Sequence, residues 1–122
     1  HVKRAGVLSD YTFAVKDLSD GRNSLKVIGK AYSGLTDMEI YEMTDRLRLA
    51  TIKNEGYRLL VRPEIILEVA FDSIQKSNRH NSGFSLRFPR IKSIRTDKSI
   101  AEVDSLQKVI QIYEKQVHQT NK

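Results

Sequence analysis

Basic side chains are concentrated between residues 79 and 98 of this sequence. Asp97 is the one acid in that interval, and it stands between Arg95 and Lys98, where its carboxylate could hold both cations in a fixed geometry. Arginine forks bind phosphate oxygens in pairs, and lysine adds a compact point charge. These residue types therefore favour phosphate binding, for which the interval offers six candidate cations: Arg79, Arg87, Arg90, Lys92, Arg95 and Lys98.

An aromatic residue, Phe88, lies between Arg87 and Arg90 in the same stretch. Such an arrangement is expected of a surface that meets both the backbone and the sugars or bases of a nucleic acid. The plainer alternative is a solvated basic edge, because charged side chains are mostly exposed. Asp97 likewise has a plainer alternative role, the formation of a turn before a capping box at Ser99 and Glu102.

Other kinds of catalytic site find little support in the sequence. Glu64 and Glu68 lie in a strand-like segment that would separate them by ~13 Å, whereas glycosidase pairs lie about 5–9.5 Å apart. Cysteine is absent, and His1, His80 and His118 are too scattered for a local metal motif, so we predict no metal site. Neither a phosphate-binding P-loop nor a serine nucleophile elbow occurs.

The composition is that of one globular domain with a basic surface. The chain has 122 residues, 39% of them apolar, and its 21 basic residues exceed its 15 acidic ones for a net charge of +6. This excess favours polyanionic partners. No apolar run approaches the ~20 residues that a membrane helix requires, so we predict no membrane association. The chain begins with His1 and not with Met, which we interpret as a fragment of a larger protein.

The first half of the chain predicts a β-hairpin followed by a helix. Apolar and polar residues alternate over 11–16, and 25–32 also has strand character, with a turn rich in Asp, Ser and Gly between them. The apolar period then becomes helical over 37–49. Thr36 and Glu39 form a capping box at the start of this helix.

The second half of the chain predicts strands and a terminal helix. Pro89 predicts a bulge or bend in the last strand, because proline cannot donate a hydrogen bond to a ladder. The terminal helix has an apolar stripe, with Asp104 as its N-cap and Gln107 at the third position. Three segments have strand character: 57–61, 64–74 and 84–95.

Together these elements predict a mainly β protein with about five short strands, one helix between the second and third strands, and a terminal helix. The expected architecture is a small antiparallel barrel of the oligonucleotide-binding (OB) type, formed as a single domain by residues 1–122. A flat antiparallel sheet with helices on one face is the alternative.

Several spaced motifs resemble the C-terminal OB domain of ATP-dependent DNA ligases. The segment SGFSLRFPRIKSIRTDKS followed by SLQKVIQIYEKQ is similar to the end of that domain, and RTDK at Arg95–Lys98 resembles nucleotidyltransferase motif VI, R-x-D-K. Three further segments match in the same order along nearly the whole chain: KRAG, GKAYSGLTDMEI and VRPEIILEVAFDSIQKS.

The resemblance implies a part of an enzyme that seals nicks in duplex DNA. Such ligases adenylate a lysine from ATP, pass AMP to the 5′-phosphate and displace it with the 3′-hydroxyl, with Mg²⁺ neutralising the phosphates. The adenylated lysine belongs to a K-x-D-G motif, which is absent from this sequence. We therefore expect the nucleotidyltransferase domain to lie upstream, and we expect this chain alone to be inactive.

The resemblance also assigns roles to the basic stretch. Arg95 and Lys98 would orient the departing pyrophosphate during lysine adenylation, and Asp97 would fix their geometry. Phe88 matches an aromatic that packs into the minor groove in similar ligases. The expected phosphate contacts to DNA are four cations: Arg87, Arg90, Lys3 and Arg4.

The expected partners are nicked duplex DNA and the protein's own upstream domain. The parent protein is expected to be a monomer in the bacterial or archaeal cytoplasm, at the nucleoid.

The alternative function is a free-standing OB-fold module that binds single-stranded nucleic acid by stacking. A related RNA ligase or capping enzyme would share R-x-D-K, but SLRFPR is less expected there. The family has one more strand upstream of KRAG, so this domain either lacks a strand or closes its barrel differently.

Overall fold

The structure, a computed structural model, describes residues 6–120. Short strands dominate this part of the chain, with one α-helix after the second strand and another at the C-terminal end. The strands and helices, in chain order, are β1 (Tyr11–Lys16), β2 (Leu25–Ala31), α1 (Asp37–Leu49), β3 (Thr51–Asn54), β4 (Leu59–Val61), β5 (Leu67–Ala70), β6 (Ser73–Lys76), β7 (Phe84–Arg87), β8 (Arg90–Ile94) and α2 (Leu106–Thr120).

The predicted first hairpin is confirmed. Strands β1 and β2 pair antiparallel, from Tyr11 opposite Ala31 to Lys16 opposite Leu25, with a bulge after Phe13. Gly29 lies opposite Phe13, and a Cβ there would come within 2.9 Å of the ring. The ring of Phe13 can therefore lie across the strand into the core because residue 29 has no side chain.

Strands β5 to β8 form one long hairpin that is bent in the middle. β5 pairs with β8, and β6 pairs with β7, all antiparallel. The bend falls at Asp72 on one arm and at Phe88 and Pro89 on the other, and the Asp72 N–H donates to the Arg87 carbonyl at 3.0 Å across it. The bend expected at Pro89 is confirmed. The prediction of one strand over 64–74 is wrong, because β5 ends at Ala70 and β6 begins at Ser73.

The N-terminal cap of α1 is the one that the sequence predicts, and that of α2 is not. The capping box of α1 is confirmed: the Thr36 hydroxyl accepts the Glu39 N–H at 3.2 Å, and the Glu39 carboxylate accepts the Thr36 N–H at 2.9 Å. The prediction that Asp104 caps α2 is wrong, because the Ser105 hydroxyl accepts the Lys108 N–H at 3.1 Å. The Asp104 carbonyl instead accepts the N–H of Lys16 in β1 at 3.1 Å.

The core consists of two clusters, one under each helix. The α2 cluster is built from Val15, Ile28, Ile74, Leu86, Leu106 and Val109. The α1 cluster is built from Tyr11, Ala31, Met43 and Ile91. Phe13 packs against both.

Strand β8 is fixed to the junction between β2 and α1 by a close backbone approach. The Ile91 N–H donates to the Ser33 carbonyl at 2.9 Å, and Ile91 is 1% exposed. Gly34 has a φ of +109°, and a Cβ at this position would overlap the Ile91 carbonyl oxygen and lie 2.8 Å from the Ile91 nitrogen. A glycine is therefore required where the junction passes over β8.

The expectation of a mainly β, antiparallel domain with a helix between strands and a C-terminal helix is confirmed, and the architecture is compatible with a small OB-fold-like domain. Within residues 6–120 the strands form four two-stranded sheets, so the expected closed barrel is not present there. Instead of about five strands the described residues form eight, including β3, which the sequence did not predict. The described helices include none that is long and apolar enough to cross a membrane.

Candidate phosphate and nucleic-acid interface

Arg95 and Asp97 form a two-pronged ion pair directly after β8. The Arg95 Nε donates to one Asp97 oxygen at 2.9 Å, and Nη2 donates to the other at 2.8 Å. The backbone of Arg95 is fixed by its N–H, which donates to the Ile66 carbonyl at 2.8 Å. The hydrogen bonds from Arg95 lower the pKa of Asp97 to about 2, and Asp97 in turn raises the pKa of Arg95. The pair is therefore fully ionised at neutral pH.

Lys98 is paired with a different carboxylate. Its Nζ lies 3.6 Å from Glu102 Oε2, four residues further along the chain. The sequence suggested that Asp97 could hold both cations, whereas the described ion pair of Lys98 is with Glu102. Sequence reasoning had placed Glu102 only in a capping box. The i, i+4 spacing from Lys98 was the signal for its second contact.

A third carboxylate, Glu68, lies on the neighbouring strand. It is opposite Ser93 in the β5–β8 ladder, and the Ser93 hydroxyl donates to Glu68 Oε1 at 2.9 Å. Glu68 and Glu102 both contribute to the raised pKa of Arg95. We call the five charged residues at this end of β8 the motif cluster: Glu68, Arg95, Asp97, Lys98 and Glu102.

Phe88 is displayed at the bend at the other end of β8. It has a φ of +54°, which is unusual for a bulky residue, and its side chain is 64% exposed. The Arg87 guanidinium lies 5.1 Å from the centre of the Phe88 ring. The Phe88 backbone is fixed by Arg90, whose Nη1 donates to the Phe88 carbonyl at 3.0 Å and to Asp72 at 3.1 Å. The bend therefore presents an aromatic ring and a stacked cation to solvent.

The predicted site residues thus fall into separate groups. The motif cluster brings together Arg95, Asp97 and Lys98, and the bend brings together Arg87, Phe88 and Arg90. Six residues lie between Phe88 and Arg95, so the two residues are at most roughly 23 Å apart at ~3.3 Å for each of the seven steps along the chain. Lys3 and Arg4, the other expected DNA contacts, lie outside the described residues. In residues 6–120 no three His, Cys, Asp or Glu side chains are grouped to bind a metal ion.

This arrangement can serve two chemically distinct purposes. The motif cluster fixes an arginine fork and a lysine in defined positions, as the binding of a polyphosphate requires. The bend offers an apolar ring beside cations, as contact with a nucleic-acid groove requires. Because the two groups lie at opposite ends of one strand, they can face different partners.

The sequence of this chain matches a protein-family model and several known proteins. The family model for the C-terminal region of ATP-dependent DNA ligases matches residues 4–98. A probable DNA ligase of Koribacter versatilis is 54% identical over 119 residues, which cover 98% of this chain and 20% of that protein. A probable DNA ligase of Opitutus terrae is 55% identical, over 87% of this chain and 10% of its own length.

An archaeal relative, the DNA ligase 1 of Korarchaeum cryptofilum, is 45% identical over 89% of this chain and 20% of its own length. The chain therefore spans a fifth or less of the length of these three relatives. The matched region contains both the motif cluster up to Lys98 and the bend at Phe88. The chain belongs to the family of C-terminal regions of ATP-dependent DNA ligases.

Proposed function

We propose that this chain is the DNA-binding and catalytic-accessory domain of an ATP-dependent DNA ligase that seals nicks in duplex DNA. The observation that carries the proposal is that two groups of side chains, the motif cluster and the Phe88 bend, lie at opposite ends of β8 and are each held in place by hydrogen bonds. In the reaction, a lysine of the parent attacks ATP and releases pyrophosphate, AMP passes to the 5′-phosphate of the nick, and the 3′-hydroxyl displaces AMP.

The motif cluster acts in the first step. Arg95 and Lys98 approach the β- and γ-phosphates and stabilise the negative charge that develops on the departing pyrophosphate. Asp97 holds the Arg95 fork through two hydrogen bonds of 2.9 and 2.8 Å, so the fork is oriented before ATP arrives. Preorganised charges of this kind stabilise a transition state without the cost of reorganisation.

The bend acts on DNA in the later steps. Phe88 packs into the minor groove near the nick, and Arg87 and Arg90 contact phosphates beside it. Lys3 and Arg4, which lie outside the described residues, are further proposed phosphate contacts. Since the two groups lie at opposite ends of β8, the domain turns its motif cluster toward the nucleotidyltransferase domain for adenylation and its bend toward DNA for sealing.

ATP and Mg²⁺ would be bound by this chain and the upstream nucleotidyltransferase domain together. The cations of the motif cluster suit the phosphates of ATP. Mg²⁺, which neutralises the phosphates, would be held mainly by the nucleotidyltransferase domain together with the phosphates of ATP. The parent works as a monomer on chromosomal DNA, in the bacterial or archaeal cytoplasm.

The test separates the two steps in the full-length parent. Adenylation from ATP and sealing of a pre-adenylated nick are each measured under single-turnover conditions. Arg95→Ala and Lys98→Ala should slow adenylation by ~10²–10³, the loss typical of one transition-state contact, and should largely spare sealing. Phe88→Ala should do the reverse.

Arg22→Ala serves as the control, because Arg22 is an exposed arginine in the β1–β2 turn whose side chain has no described hydrogen bond or ion pair with either group. It should leave both steps unchanged. If the Arg95, Lys98 and Phe88 variants slow both steps equally, the division of labour is wrong and β8 is simply structural.

A further inference from the structure

Glu102 contacts Ser99 with one carboxylate oxygen and Lys98 with the other. Its Oε1 accepts the Ser99 N–H at 3.1 Å, and its Oε2 lies 3.6 Å from Lys98 Nζ. The Ser99 contact belongs to a capping box that begins a short 3-10 helix, Ile100–Glu102. The rotamer of Glu102 is therefore set by the backbone, independently of Lys98.

The 3-10 helix is itself clamped to the first strand of the domain. The Lys16 Nζ donates to the Ala101 carbonyl within this helix at 2.6 Å, and the Lys16 backbone N–H donates to the Asp104 carbonyl just after it at 3.1 Å. The Glu102 carboxylate is thus tied to β1 through a short, hydrogen-bonded segment. Because the Glu102 carboxylate is held in place, its pairing with Lys98 restricts where the Lys98 ammonium group lies.

The other carboxylates of the motif cluster are engaged elsewhere. Asp97 uses both oxygens on Arg95, and Glu68 accepts a hydrogen bond from Ser93. Glu102 stays ionised at neutral pH, since the Ser99 N–H and the charge of Lys98 lower its pKa. Glu102 is therefore the anion that is prepared to orient Lys98.

We infer that Glu102 is a positioning residue for Lys98, holding its ammonium group where the pyrophosphate leaves during lysine adenylation. Lysine has a long stem with many rotamers, and a fixed counter-charge reduces the number that it samples before substrate binds. Glu102 does not touch ATP; it acts through Lys98. The inference rests on the proposed role of Lys98 in adenylation.

The decisive substitution is Glu102→Gln in the full-length parent. Glutamine can keep the capping box, because its side-chain oxygen accepts the same N–H, but it removes the charge that pairs with Lys98. We expect adenylation from ATP to slow by roughly two- to five-fold, the rate equivalent of one exposed ion pair, while sealing of a pre-adenylated nick stays unchanged. Glu114→Gln, on the exposed face of α2, is the matched control and should alter neither step.

A double-mutant cycle shows whether Glu102 acts through Lys98. In a Lys98→Met background, Glu102→Gln should cause no further loss of adenylation rate. An equal loss in both backgrounds would mean that Glu102 acts through another group, and no loss in the wild-type background would mean that it does not position Lys98; either result overturns the inference. If Lys98→Met itself leaves adenylation unchanged, the proposed function of Lys98 fails first, and the inference with it.

Discussion

Replacing Gly34 with alanine should break the attachment of β8 to the rest of the domain. A Cβ at residue 34 would overlap the Ile91 carbonyl oxygen and lie 2.8 Å from the Ile91 nitrogen. The nearest obstacles are backbone atoms, which cannot rotate away as a side chain can. The junction between β2 and α1 must therefore move off β8, and the hydrogen bond from Ile91 to Ser33 must lengthen or break.

The expected cost has two parts. A non-glycine residue at positive φ costs about 1–2 kcal/mol. Loss of the hydrogen bond from Ile91 to Ser33 costs about 1–3 kcal/mol more, because Ile91 is buried and its N–H would be left without a partner. Together they give roughly 2–5 kcal/mol, a large fraction of the ~5–15 kcal/mol by which a typical domain is stable.

The assay is equilibrium denaturation in urea of the 122-residue chain, with Gly56→Ala as the matched control. Gly56 has a φ of +87°, and no atom lies within 4 Å of the place that an alanine methyl would take, so its substitution carries only the first cost. Gly34→Ala should therefore lower the free energy of unfolding clearly more than Gly56→Ala. Equal losses from the two substitutions would refute the close approach between Gly34 and Ile91.

Three further predictions concern the proposed function. Incubated with labelled ATP and Mg²⁺, this chain alone should form no covalent AMP adduct, because its sequence has no K-x-D-G lysine; a stable phosphoramidate would contradict the division between domains. Binding to duplex DNA should be indifferent to sequence, with a log–log salt slope of about −4 for four or five phosphate contacts; a flat response or a strong preference for single strands would favour the stacking module. Carbon-13 NMR should give Asp97 a pKa of about 2, and Arg95→Met should raise it toward 3.8. Because the folded-state pKa is depressed, the stabilisation by this pair is present above pH 3.8 and is lost as the pH falls through about 2; titration of wild-type Asp97 near 3.8 would show that the pair does not persist in solution.

Structural features with local sequence signals were predictable. The capping box of α1 needs only Thr36 and Glu39, and the bend at Pro89 needs only the missing N–H of proline. Features that depend on distant residues were not. The break between β5 and β6 occurs at Asp72, which pairs with Arg90 on the opposite arm of the hairpin, and no local residue marks it. Likewise Ser105, and not Asp104, caps α2, because the Asp104 carbonyl is engaged by β1.

The candidate site shows the same limit. Charge and spacing pointed to Arg95, Asp97 and Lys98, and the two-residue separation of Arg95 from Asp97 suits the pair that forms. The exposure of Phe88 follows from its position beside Pro89 at the bend. The placement of Glu68 near Arg95 depends on the register of β5 against β8, which alternation of residue types does not determine.

The position of Phe13 between the two core clusters has a consequence for how the domain unfolds. Its ring packs against the cluster under α1 and against the cluster under α2, so the two ends of the domain share this side chain. Unfolding is cooperative only when loss of packing in one region removes support from the other. We therefore expect the amide protons of β1 and β2 near Phe13 to exchange only on global unfolding. If this ring is truncated, the α1 end and the α2 end can open as separate units, with different protection from exchange.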